Sequence, residues 1–168
     1  IEVIYPGFEK TTTKKKKIKK IKEKYNIKKD YLLYLGTLKP SKNIDGLIKA
    51  FKLLLTNYEL QNTNLVIAGK KGWLYEEIYQ IVKKLKLKDK VIFTGFVEEN
   101  EVEPLMANAQ AFVLPSFWEG FGIPALEAMA AKTPVICSNK GSLPEVVGQA
   151  AQLVNPDNPK EIAQAIDK

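Results

Sequence analysis

The sequence predicts an α/β domain, a doubly wound parallel sheet with helices on both faces. Three observations predict it. Six short apolar runs recur along the 168 residues, and stretches with helical spacing separate them. The runs are apolar almost throughout instead of alternating, which suits parallel strands covered on both faces. Regular exchange of strand and helix is the pattern of a doubly wound sheet.

The first 29 residues differ from this pattern in charge. They hold 11 Lys and 3 Glu, whereas the rest holds 15 Lys and 16 acids. The net charge of +7 therefore belongs to one segment. Within it, "TTTKKKKIKKIKEKYNIKKD" places Ile18, Ile21 and Tyr25 on one helical face with lysine elsewhere. This reads as a solvated helix docked through three anchors, ahead of a domain spanning residues 30–168. The other reading is a polyanion-binding patch that attracts anionic lipid. Arginine and interleaved aromatics, which specific nucleic-acid recognition favours, are absent, so no nucleic-acid partner is expected.

Strands are predicted at 31–36, 64–69, 90–95, 111–116, 134–138 and 150–154. Helices are predicted at 43–56, from Ile44, Leu47, Ile48 and Phe51, and at 73–86, from Trp73, Ile78, Ile81 and Val82. Further helices are predicted at 99–109, 124–131 and the closing "PKEIAQAIDK". "SLPE" (142–145) reads as an N-cap and capping box with Pro144 in the first helical position, and Trp73 reads as a packing residue.

Several classes of chemistry are disfavoured. Histidine is absent, which removes the usual general base, zinc ligand and Ser-His arrangements. No metal-ligand cluster is visible. The single cysteine, Cys137, lies in the apolar run "PVICS" and reads as a buried inert thiol suited to a reducing, cytoplasmic compartment. No apolar run approaches the roughly 20 residues of a membrane span, and no signal peptide opens the chain. The opening "IEVIYPGF" starts in mid-pattern, as a fragment of a longer protein would.

The strand ends point to a site. The runs finish at Gly36, Gly69, Gly95, Ser116 and Ser138, and small residues let a ligand approach the backbone. Open parallel sheets bind ligands outside the carboxyl ends of their strands. The loop leaving the fourth run, "PSFWEGFGIPALEAM", carries Glu119 and Glu127 around Gly120 and Gly122, ahead of a helix that Pro124 can start. Bare amides at a helix start attract an anion. The two carboxylates could accept from sugar hydroxyls. A nucleotide-sugar offers diphosphate, ribose diol and hexose together.

"E-GFGIPAL-E" resembles the Glu-x7-Glu motif of the group 1 retaining glycosyltransferases of the GT-B fold. "YLGTLKPSKNIDGLIKAF", "LVIAGKKGWLYEEI", "VIFTGFVEENEVEPLMANAQAFVLPS" and "TPVICSNKGSLPEVVGQAAQLVNP" follow in that family's order, and "VIYPGFE" resembles the linker into its second domain. The resemblance covers nearly the whole chain. It implies the C-terminal, Rossmann-like domain, which binds the donor, without the N-terminal acceptor domain.

By this resemblance Glu127 holds the ribose hydroxyls and Glu119 faces the donor hexose. Gly120, Phe121 and Gly122 line the sugar and phosphate pocket, Gly36, Thr37 and Gly69 line the phosphate side, and Lys42 binds the diphosphate. Val97 offers backbone bonds to the base. Glu99 lies near its amino edge, which leans toward guanine, although 98–103 also reads as an acidic helix start. Many family members carry arginine where this chain has Thr37. A hydroxyl does not replace a bidentate guanidinium, so Lys42, aided by Lys39, carries more of the phosphate contact.

The resemblance implies transfer of a hexose, with mannose the first candidate, from a GDP- or UDP-linked sugar to a glycan or lipid-linked acceptor. The bond forms with retention by front-face attack, with no separate cofactor, in cell-surface glycan synthesis. Another GT-B enzyme, such as an epimerase or phosphorylase, is the nearest rival; a phosphorylase would need a pyridoxal lysine in a context absent here. "GKKGW" lacks the spacing of a Walker A loop, and no Gly-x-Gly-x-x-Gly follows the first strand.

Overall fold

The computed structural model describes residues 15–56 and 58–168. The opening "VIYPGFE" lies outside them. Six strands form one sheet: β1 (Asp30–Leu35), β2 (Thr63–Ala68), β3 (Val91–Gly95), β4 (Ala111–Leu114), β5 (Val135–Ser138) and β6 (Gln152–Val154). Their order is β3-β2-β1-β4-β5-β6, and every pairing is parallel. The central strands are buried on both faces, as their unbroken apolar runs require; all six residues of β2 are buried. The sheet edges are shorter or more exposed.

Seven α-helices complete the described fold: α1 (Lys15–Lys24), α2 (Ile44–Leu54), α3 (Tyr75–Lys84), α4 (Glu99–Ala107), α5 (Ile123–Ala130), α6 (Leu143–Val147) and α7 (Pro159–Asp167). On one side α2 packs against α3 and α7; on the other α4 packs against α1 and α5, and α5 against α6. The predicted doubly wound architecture is therefore present, with each predicted strand matched within two residues.

The lysine-rich helix α1 docks through two of its three predicted anchors, while Ile18 lines a groove beside it. Ile21 is buried in the common core and Tyr25 is packed against it. The Lys24 ammonium and the Tyr25 hydroxyl both donate to the Glu101 carboxylate, at 2.8 and 2.6 Å. This contact resolves part of the acidic run: Glu101 secures α1 to α4. On the same side, the buried Tyr31 hydroxyl donates to the Leu105 carbonyl at 2.7 Å, and burial pushes its pKa up.

Cys137 is fully buried in β5, and burial pushes its thiol up to about 12. The nucleophile is the thiolate. Native protein at pH 8 should therefore leave an aromatic disulfide reagent unreacted, and one thiol per chain should react once denaturant unfolds it. Fast labelling of native protein would contradict this burial.

Two local expectations are corrected. Trp73 is 63% exposed, because α3 begins only at Tyr75, after Leu74 turns through left-handed backbone (φ 54°). The 142–145 segment starts α6, but Ser142 makes no capping bond and Pro144 is the second helical residue. The Ser142 hydroxyl instead donates to the Glu119 main-chain carbonyl at 3.1 Å. The hydroxyl is turned toward this long-range acceptor, and its oxygen takes no N–H from the helix start.

Candidate functional site

The strand order reverses between β1 and β4, since β2 and β3 continue to one side and β5 and β6 to the other. A crevice forms at such a switch point. Its walls are the loop after β1, residues 36–43, and the loop after β4, residues 115–122.

The first wall is built by backbone geometry. Gly36 donates its N–H to the Ala68 carbonyl, and Gly69 donates to the Gly95 carbonyl, each at the end of its strand. Gly69 has φ 143°, and a Cβ there would lie 1.9 Å from the Gly36 carbonyl oxygen. Only glycine permits this approach. The buried Tyr34 hydroxyl makes a long 3.4 Å bond to the Thr37 carbonyl. Burial first, and then the Glu119 charge, raise its pKa. The Thr37 side chain is exposed on this wall.

Residues 40–42 form a short 3-10 turn that delivers Lys42, and Asn43 ends it in left-handed backbone (φ 53°). Asn43 is 2% exposed. Its Nδ2 donates to the carbonyls of Pro115 at 3.0 Å and Pro156 at 2.6 Å. One side chain therefore joins the segments that follow β1, β4 and β6. Sequence reasoning missed it. The available signal was an Asn, a residue that tolerates left-handed backbone, directly before a helix.

The second wall carries Glu119. Its Oε2 accepts from the Lys42 ammonium at 2.6 Å, and its Oε1 accepts from the Ser116 hydroxyl at 2.7 Å. The Phe117 N–H donates to the Ser41 carbonyl at 2.9 Å, so the two walls are also bonded through main chain. Gly122 then turns the chain into α5 with φ 92°; a Cβ there would lie 2.5 Å from Leu143 Cδ2. No side chain caps this helix start; Pro124 has no N–H and Ala125 donates to the Gly122 carbonyl, which leaves the Ile123 N–H and the helix dipole for an anion. Gly120 and Phe121 occupy the loop between Glu119 and that turn.

Glu127 lies beyond the first turn of α5, so the dipole does not account for it. The side chain is half-buried. Burial first, and then the charge of Glu99 at the start of α4, raise its carboxyl above the ordinary value. The predicted ribose and base residues thus sense each other electrostatically. Val97 is buried, so any bond it offers a ligand comes from its backbone.

The predicted residues thus gather along the carboxyl rim: Lys42 with Glu119, Gly36 with Gly69, and Glu127 with Glu99. Sequence reasoning missed Ser116 as a carboxylate partner, although its Ser-x-x-Glu spacing to Glu119 was readable. Phe96, Trp118 and Ile123, with Trp73, stand exposed on loops or helix starts beyond the strand ends. Two grooves lie elsewhere, 660 Å³ beside α1 and 290 Å³ lined by Tyr79, Val82, Val91 and Phe93. No predicted site residue lines either.

Residues 15–168 match the family of group 1 glycosyl transferases. The chain is 40% identical over 136 residues to O-antigen chain mannosyltransferase B of Escherichia coli, which covers 81% of this chain and 35% of that protein. It is 41% identical over 139 residues to O-antigen chain mannosyltransferase RfbU of Salmonella typhimurium, covering 83% and 38%. The chain spans little more than a third of the length of these curated relatives. Among solved structures, Anabaena HepE in complex with UDP and glucose superposes with TM-score 0.85 at 25% identity, covering 99% of this chain and 46% of that one. A C-terminal domain of a group 1 glycosyl transferase from Francisella tularensis superposes with TM-score 0.73 at 29% identity, covering 87% and 80%. The chain belongs to the group 1 glycosyl transferases, and its sheet is the Rossmann-like domain of the GT-B fold.

Proposed function

We propose that this chain is the donor-binding domain of a retaining mannosyltransferase acting in cell-surface glycan synthesis. The whole enzyme transfers the sugar from a nucleoside diphosphate to a glycan or lipid-linked acceptor hydroxyl. The observation that carries the reading is the Lys42–Glu119 pair at the switch point, beside the uncapped start of α5. Mannose is favoured by the names of the relatives, which are mannosyltransferases. GDP is favoured by Glu99, whose carboxylate can accept from the amino group of guanine; uracil has no such group.

Departure of the nucleoside diphosphate develops negative charge. The Lys42 ammonium, once turned to the phosphates, and the start of α5 are positive groups that stabilise it in the transition state. Glu127 accepts from the ribose hydroxyls, and Glu119 accepts from a hexose hydroxyl and orients the reacting carbon. Gly36, Thr37 and Gly69 let the phosphates approach main chain, and Val97 offers backbone bonds to the base. The acceptor is held by the part of the protein outside this chain, so the 168 residues alone bind donor but transfer no sugar.

A thermal-shift panel of GDP, UDP and ADP, each free and with its sugar, tests the reading. A ligand at 100 times its dissociation constant stabilises by about 2.7 kcal/mol. GDP-mannose should raise the melting temperature most. No shift with any nucleotide would remove the proposal.

We infer a cytoplasmic site with peripheral contact to anionic lipid through the lysines of α1. Among the described residues no helix is long and apolar enough to cross a membrane. Lys19 and Lys20 are exposed, while Ile21 between them and Lys22 is buried. Reversing Lys19 and Lys20 to Glu should weaken sedimentation with phosphatidylglycerol vesicles at low salt, by about 1 kcal/mol per lost lysine contact, and spare nucleotide binding. Unaltered sedimentation would place lipid contact elsewhere or nowhere.

A further inference from the structure

We propose that Lys42 and Glu119 form an interlock. Each occupies the place of the other's ligand until a sugar nucleotide enters, and Ser116 is the positioning residue that holds the Glu119 carboxylate when Lys42 turns away. The inference rests on the donor-binding reading above.

Both carboxylate oxygens of Glu119 are engaged without ligand, Oε2 by Lys42 and Oε1 by Ser116. The pair is sheltered: the Lys42 and Glu119 side chains are 16% and 11% exposed. Removing one partner from such a pair leaves the other poorly solvated, so the pair persists until both ends are replaced. A diphosphate competes for the ammonium. Once Lys42 turns to phosphate, Oε2 has lost its donor and needs another.

A nucleoside diphosphate supplies the anion, but its ribose hydroxyls go to Glu127 and leave none for Oε2. A hexosyl diphosphate supplies both, the phosphate for Lys42 and a hydroxyl for Glu119. The site therefore distinguishes charged donor from spent nucleotide. After transfer the hydroxyl is gone, Lys42 returns to Glu119, and the product is displaced.

Exchange needs one end of the carboxylate to stay fixed. Ser116 is fully buried just beyond β4, and its hydroxyl holds Oε1. Ser142 fixes the main chain of the same residue through its carbonyl. The carboxylate can thus lose Lys42 without swinging from the site.

Calorimetric titration of GDP and GDP-mannose into wild type, Glu119→Gln and Ser116→Ala tests the interlock. Glu119→Gln releases Lys42 and removes a charge beside the phosphates. It should bind GDP about tenfold more tightly, equivalent to about 1.4 kcal/mol, and lose its preference for GDP-mannose. Tighter binding cannot come from a damaged fold. Ser116→Ala, an independent arm, should lose affinity for GDP-mannose and much less for GDP. GDP binding by Glu119→Gln that is equal to or weaker than wild type overturns the interlock. Equal losses for both ligands in Ser116→Ala overturn the positioning role. Wild type that binds neither ligand overturns the donor-binding reading itself.

Discussion

Replacing Asn43 with Leu is expected to unfold the domain far more easily, by about 3–8 kcal/mol. Two effects add. The carbonyls of Pro115 and Pro156 lose their shared donor in a site that is 2% exposed. Each buried acceptor left without a partner costs about 1–3 kcal/mol. Left-handed backbone adds about 1–2 kcal/mol for a residue that lacks the local hydrogen bonding of Asn. Asn26 also has left-handed backbone (φ 54°) but is exposed, so Asn26→Leu isolates the second effect and should cost far less. Urea unfolding should show a lower midpoint for Asn43→Leu with unchanged slope, which assigns the loss to stability. Equal costs at both positions would mean that the buried amide contributes nothing.

At Glu127 stability and affinity should move in opposite directions. Glu127→Gln is expected to lose about a hundredfold in nucleotide affinity, from two charge-assisted bonds to ribose hydroxyls worth about 1.5 kcal/mol each. Without ligand, the same variant should be more stable than wild type at neutral pH. The sign follows from the raised carboxyl. The folded state keeps the Glu127 proton to higher pH than the unfolded chain does, so it binds more protons between the two values. Stability therefore falls as pH rises from the ordinary carboxylate value through the folded one, and stays lower above it. Glutamine cannot ionise and removes that fall. Glu99→Gln should remove part of it, since the Glu99 charge is the second cause. Denaturation of the unliganded proteins between pH 4 and pH 8 supplies the comparison. A Gln variant less stable than wild type across that range would show that Glu127 is held by partners and not penalised by burial.

The sheet was legible because its strands are covered on both faces. An unbroken run such as residues 65–68 has no amphipathic alternative, and its pairing in the sheet buries every residue. The rim was legible where chemistry is local: glycines at strand ends, and two carboxylates around a helix start. Most of what escaped depends on distant segments. Ser142 has the spacing of a capping box, yet its hydroxyl goes to a carbonyl 23 residues upstream. The acidic run at 98–103 carries no sign that Glu101 meets Lys24 while Glu99 acts on Glu127. Trp73 continues a helical spacing, and nothing local announced that Leu74 breaks it.

Asn43 has a temporal consequence as well. Its acceptor at Pro156 lies 113 residues later in the chain. At a synthesis rate of about 5–20 residues per second, the ribosome needs on the order of ten seconds to travel between them. A nascent chain that has already made β1 and β4 still lacks the peptide that closes the amide's second bond. The loop that carries Lys42 therefore gains its full anchorage only after the residue that follows the last strand by two has emerged, and a stall before that point would leave an emerging polypeptide with this amide half-bonded.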